Sequence, residues 1–135
     1  MKGYRTLIGL SSLLSLSLAP LFVANADPVP SGIVFTSAPQ TISVGAISEQ
    51  ITIQVQDAEH TLSKVPSTAC ASITSSSSGG AFSSSASAWS AVSVLTIAKN
   101  SANRNFYYKD GTVGVPTLGI RVALKPEAET RSCAN

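Results

Sequence analysis

An all-β sandwich of about seven short antiparallel strands is the fold this sequence predicts, and three observations predict it. Gln50-Ile51-Thr52-Ile53-Gln54-Val55-Gln56-Asp57 alternates polar with apolar residues strictly, which places Ile51, Ile53 and Val55 on one face. Short β-branched or aromatic runs recur along the chain, each halted by Gly, Pro, Asn or Ser turn residues. No stretch keeps helical period beyond one turn.

The amino terminus stands apart from that pattern. Lys2 and Arg5 precede an apolar run from Leu7 to Val23, which ends in Ala24-Asn25-Ala26. A charged start, an apolar centre and a small-residue site read as an export signal over residues 1–26, cleaved after Ala26. The competing reading, a membrane anchor, conflicts with Ser11, Ser12, Ser15, Ser17 and Pro20 inside the run. No cysteine lies beside the site to take a lipid. The remaining 109 residues suffice for one small domain, read as a sandwich over 27–125 with a polar tail over 126–135. Its location is expected to be secreted, periplasmic or at a cell surface, with no membrane span once the signal is removed.

Without Lys2 and Arg5 the seven basic residues balance the seven acidic ones. Nucleic acid is therefore not an expected partner, because nothing draws a polyanion to the surface. Cys70 and Cys133 are the two cysteines, and a pair in a small exported domain is expected to be bridged. Free thiols, or pairing between chains through Cys133, are the alternatives. A bridge within the chain would close 62 intervening residues and contribute roughly 4 kcal/mol by the loop-entropy estimate.

In order, Ile33-Val34-Phe35-Thr36 reads as an edge strand halted at Pro39, and Thr41-Ile42-Ser43-Val44 as its continuation beyond the proline. The alternating strand at 50–57 turns at Ala58-Glu59-His60, and Leu62 to Val65 reads as a short strand ending at Pro66. From Ala71 to Ser90 half of the residues are serine, a linker-like composition. Cys70, Ile73, Phe82 and Trp89 nevertheless offer anchors there. The stretch reads as a strand over 69–75, a turn at Gly79-Gly80 and a loop over 83–90 pinned by Trp89. Strands then follow at Val92–Ala98, Arg104–Lys109 and Thr117–Lys125, the last two forming a hairpin whose aromatics fill the core.

Four phrases in order resemble the repeat unit of bacterial immunoglobulin-like (Ig-like) domains, which are strung along large secreted and surface adhesins. They are Val34-Phe35-Thr36-Ser37-Ala38-Pro39-Gln40-Thr41, Gln54-Val55-Gln56-Asp57, Ser77-Ser78-Gly79-Gly80-Ala81-Phe82-Ser83, and Phe106-Tyr107-Tyr108-Lys109-Asp110 with Gly114-Val115-Pro116-Thr117-Leu118. The resemblance runs from about Ile33 to Val122. It implies an Ig-like Greek-key sandwich serving as a spacer or adhesive module, without catalytic residues.

His60, beside Asp57 and Glu59, has no nucleophile framed for it, since no Gly-x-Ser-x-Gly elbow exists, and it reads as an exposed turn residue. Asp57, Glu59 and Asp110 lack the spacing of a calcium loop and read as a solvated rim. No enzyme, metal or cofactor is expected. Phe106 and Tyr108 share one strand face, so Tyr107 takes the other and, with Trp89, is the candidate platform for a sugar ring. The expected function is a non-enzymatic structural or adhesive module whose partners are other proteins or cell-surface glycans; the alternative is a small carbohydrate-binding module.

Overall fold

Eight strands form among residues 28–124 and Cys133, which this computed structural model describes, and none of those residues is helical. The expected signal over 1–26, and the expected tail over 126–135 apart from Cys133, lie outside the described residues. In chain order the strands are β1 (Gly32–Phe35), β2 (Ile51–Gln56), β3 (Ala69–Ser75), β4 (Gly80–Ser83), β5 (Ala91–Val92), β6 (Val94–Ile97), β7 (Asn103–Asp110) and β8 (Leu118–Leu124). They build two antiparallel sheets, one ordered β1-β2-β7-β4-β5 and the other β6-β3-β8.

The period-two pattern does what it predicts. Ile51, Ile53 and Val55 of β2 are buried, and Phe106 and Tyr108 of β7 face the same interior. Across from them the second sheet contributes Ala69, Ala71, Ile73, Leu95 and Ile97. Small alanines and large rings share this one cluster, so the two sheets can pack closely. Phe106 is fully buried between Phe35, at 6.4 Å between ring centroids, and Phe82 at 5.9 Å; Phe82 in turn lies 5.2 Å from Tyr108. Four rings in tilted or edgewise contact thus run through the core, away from the face-to-face stacking that aromatic quadrupoles disfavour.

Four expectations are corrected. The run at 92–98 is two strands, because the chain leaves one sheet after Val92, turns at Ser93 and enters the other at Val94. That switch contributes to eight strands instead of about seven. Residues 41–44 form no strand: Ala46 N–H donates to Ser43 carbonyl at 2.9 Å in a turn that needs the positive φ of Gly45, 78°. Leu62 to Val65 is reduced to a single bridge between Leu62 and Gln56. Finally, β7 and β8 are not a hairpin. They lie in different sheets, and residues 111–117 arch across between them.

Strand directions fix two poles. β1 begins, β2 ends, β3 begins and β8 ends at the pole that holds Asp57, so both ends of the described domain leave from this proximal pole. The opposite, distal pole is built from residues 36–48, 76–79 and 111–117. There Thr36 N–H donates to Thr52 carbonyl, Gly45 N–H to Asp110 carbonyl and Ser48 N–H to Tyr108 carbonyl, so the arm after β1 is tied across the end of β7.

Candidate functional site

Two surfaces carry the residues that bear on function. The first is the outer face of the five-stranded sheet. Because side chains alternate along β7, Asn103, Asn105, Tyr107 and Lys109 point away from the core while Phe106, Tyr108 and Asp110 point in. β2 places Thr52 opposite Asn105 and Gln54 opposite Asn103, with Gln56 next along the same face. The amides and hydroxyls pair across the strands: Thr52 Oγ1 donates to Asn105 Oδ1 at 3.0 Å and Gln54 Nε2 to Asn103 Oδ1 at 3.1 Å. Gln56 Nε2 then donates to Gln54 Oε1 at 3.0 Å.

Tyr107 and Trp89, the predicted ligand residues, are both half-buried. The Lys109 ammonium sits 4.3 Å from the centre of the Trp89 ring, a cation-π contact. The structure therefore brings Trp89 to the strand that carries Tyr107, but it places a lysine on the ring that a sugar would use.

The second surface lies at the distal pole. Between the 37–44 arm and the 112–118 arch runs a groove of about 540 Å³, with Phe35, Ile51 and Leu118 among its apolar lining residues and Tyr108 and Asp110 among its polar ones. The polar groups are held in a closed network. Tyr108 Oη donates to Asp110 Oδ2 at 2.6 Å and shares a hydrogen bond with Ser75 Oγ at 2.9 Å. Asp110 Oδ1 accepts from Ser77 Oγ at 3.0 Å, from Thr112 N–H at 2.9 Å and from Thr112 Oγ1 at 2.7 Å.

This network shifts both titrations. The Tyr108 hydroxyl and then the Thr112 donors hold the Asp110 carboxyl below the ordinary carboxylate range. Burial, and then the bond to Asp110, pushes the Tyr108 hydroxyl up. Reading the sequence missed Asp110 as the centre of the network and placed it on a solvated rim instead. The signal that marks it is Asp110-Gly111-Thr112 after an aromatic strand, an Asx-turn pattern in which the carboxylate caps the N–H two residues on.

Asp57 is likewise no rim residue. It is buried, and its carboxylate accepts from Glu59 N–H at 3.1 Å and Thr61 N–H at 2.8 Å, with the Thr61 hydroxyl as a further donor. Those bonds from Thr61 lower its pKa. His60 is exposed at φ 62°, the left-handed position of that turn. Asp57 and Asp110 stand at opposite poles, and no group of three or more His, Cys, Asp or Glu side chains suited to a metal occurs among the described residues.

Cys70 and Cys133 are bridged, with Cα atoms 5.6 Å apart. Cys70 lies between the buried Ala69 and Ala71 on β3, so it projects from the outer face of the three-stranded sheet. Cys133 N–H donates to Thr96 Oγ1 at 3.4 Å. The bridge fastens Cys133 over β3, the central strand of that sheet, near the strand's start.

Comparison of the chain with protein-family models, with curated proteins and with solved structures finds no match.

Proposed function

We propose that the chain is an exported, non-enzymatic Ig-like Greek-key sandwich that serves as a structural or adhesive module, joined to its surroundings at the proximal pole and presenting the distal pole. One observation carries this reading. Both ends of the described domain leave from the pole that holds Asp57, which keeps the loops at 36–48, 76–79 and 111–117 clear of them. Those loops contain no charged residue, and they bear Val113 at 90% and Val115 at 99% exposure. Apolar side chains held in water at a loop tip are characteristic of surfaces that meet a partner.

Export is supported by the Cys70–Cys133 bridge, a covalent bond that persists in oxidising compartments, and by the charged, apolar and small-residue sequence over 1–26. The residue phrases shared with bacterial Ig-like adhesin repeats support the fold subclass and a role at a bacterial cell surface. Expression with an epitope tag, followed by fractionation and intact mass, tests export. Protein recovered outside the cytoplasm with Asp27 as its first residue is expected; retention in the cytoplasm with residues 1–26 attached would refute it. Cells that display the chain should gain adhesion to a protein or cell surface, and displayed protein that confers none counts against the adhesive role.

The outer sheet face supports a second reading, a small carbohydrate-binding module. The paired side chains of Thr52, Gln54, Asn103 and Asn105 offer hydrogen bonds to a glycan and Tyr107 on the same face offers a ring, while a sugar at Trp89 would have to displace the Lys109 ammonium. Glycan-array binding that disappears in Tyr107→Ala and Trp89→Ala would displace the adhesive reading in its favour.

A further inference from the structure

We propose that the outer face of the five-stranded sheet is a site for an acidic glycan, one that carries a sugar carboxylate. The site rests on the carbohydrate-binding reading of that face and adds the class of sugar it takes. Of the outward side chains on β2 and β7, Lys109 alone is charged. Its ammonium stands 4.3 Å from the centre of the Trp89 ring and meets no carboxylate among the described residues. A ring beneath the ammonium holds it over the sheet and leaves N–H donors for a ligand. The charge that complements it is an anion.

The neutral groups beside Lys109 point to the same chemistry. Thr52 occupies Asn105 Oδ1 and Gln54 occupies Asn103 Oδ1, so the two exposed asparagines present their Nδ2 groups as donors. Gln54 is engaged at both ends, since its Oε1 accepts from Gln56. Asn103, Asn105, Tyr107 and Lys109 follow one another on a single face of β7, about 7 Å apart from one to the next. The row therefore offers donor, donor, ring and cation in order. A sugar acid answers each of them: its hydroxyl oxygens accept from the amides, the apolar face of a pyranose packs on Tyr107, and its carboxylate accepts from the Lys109 ammonium. An acidic peptide would bring N–H donors of its own to a row of donors, and one cation is too few to hold nucleic acid.

Isothermal titration of the exported chain with an oligogalacturonate and with a sialyl oligosaccharide, each beside its methyl ester, tests this, because acid and ester share the ring and differ in charge. At least one acid is expected to bind about tenfold or more tighter than its ester, by a margin that narrows as salt rises. Lys109→Gln abolishes that margin at an unchanged melting temperature. Lys109→Arg and Trp89→Phe, which keep a cation and a ring beneath it, retain the margin. Arg121→Gln, which removes the same charge from an exposed position on the other sheet, leaves the margin as in the wild type.

Equal affinity for acid and ester in both pairs overturns the sugar acid and leaves a carbohydrate-binding module standing. Binding to none of the four overturns the site, and a silent glycan array would remove the carbohydrate reading with it. A margin that survives Lys109→Gln also overturns the site. Polyglutamate held as tightly as the sugar acids, through Lys109, overturns the glycan as occupant in favour of an acidic protein.

Discussion

Tyr108 and Asp110 are two positions apart on β7, both point into the domain, and the Tyr108 hydroxyl donates to Asp110 Oδ2 at 2.6 Å. The pair closes the distal end of the interior. It carries the aromatic core outward to the groove and fixes the start of the 111–117 arch through Thr112. Removing the hydroxyl leaves one oxygen of a carboxylate without its donor. Tyr108→Phe is therefore expected to lose about 1–3 kcal/mol of stability with the fold intact, read from the urea midpoint. A variant as stable as the wild type would show that water replaces the hydroxyl without cost.

Stability should fall at both ends of the pH scale. The Asp110 and Asp57 pKa values are depressed below the ordinary 3.8, so both carboxylates contribute stability that is present above that value and lost as pH drops through the lowered ones. The Tyr108 value is raised above 10.0, so its contribution is present below pH 10 and lost as pH climbs through the raised value. Denaturant titrations across pH should give a plateau bounded by these two limbs. Asp110→Asn should flatten part of the acid limb, and an unchanged slope in that variant would remove Asp110 from the explanation.

Gly80 opens β4 against this network. A Cβ there would stand 2.6 Å from Tyr108 Oη and 2.8 Å from Ser75 Oγ, inside van der Waals contact. Gly80→Ala is expected to lower stability by about 1–3 kcal/mol, the range for overfilling a packed site. Gly111→Ala meets nothing within 4 Å and provides the matched control, expected to stay near the wild-type melting temperature. Equal behaviour of the two alanines would contradict the close approach at Gly80.

The bridge is separated by 63 positions in sequence, and opening it should cost about 4 kcal/mol. Cys70→Ser with Cys133→Ser tests this without a reducing agent. A lowered melting temperature with a monomeric native state is expected. Intact mass with alkylation before and after reduction gives the chemical check: two reactive thiols in the native wild type would show that no bridge forms.

Truncating Phe106 is expected to cost about as much as opening the bridge. It is fully buried and touches both Phe35 and Phe82, so Phe106→Ala should lose about 3–5 kcal/mol, and a loss below about 1 kcal/mol would show that the cavity collapses.

Local periodicity was enough to mark several elements of this protein. Strict alternation in 50–57 marked β2 and its buried face, and the same rule set Phe106 and Tyr108 on one face of β7 and Tyr107 on the other, because side chains of an extended chain must alternate. Ala69–Ser75 was legible as a strand inside a serine-rich stretch, since its anchors Cys70 and Ile73 outweigh composition. The pairing of Cys70 with Cys133 was the expectation for two cysteines in a small domain read as exported.

Contacts between residues distant in sequence set the rest. Whether β7 and β8 would pair with each other or lie in opposite sheets is a choice between partners, and the alternation within each strand is the same either way. The same holds at Ser93, where one apolar run divides between two sheets with no Pro or Gly to announce it. Asp110 reads as a polar residue after a strand. It becomes the centre of a buried network only when Ser77, 33 positions away, and the Tyr108 hydroxyl are folded against it. The two poles, one where β1 begins and β8 ends and the other where three loops gather around Asp110, arise in the same way. Strand direction sorts loops from three parts of the chain onto one surface, and no local pattern encodes that sum.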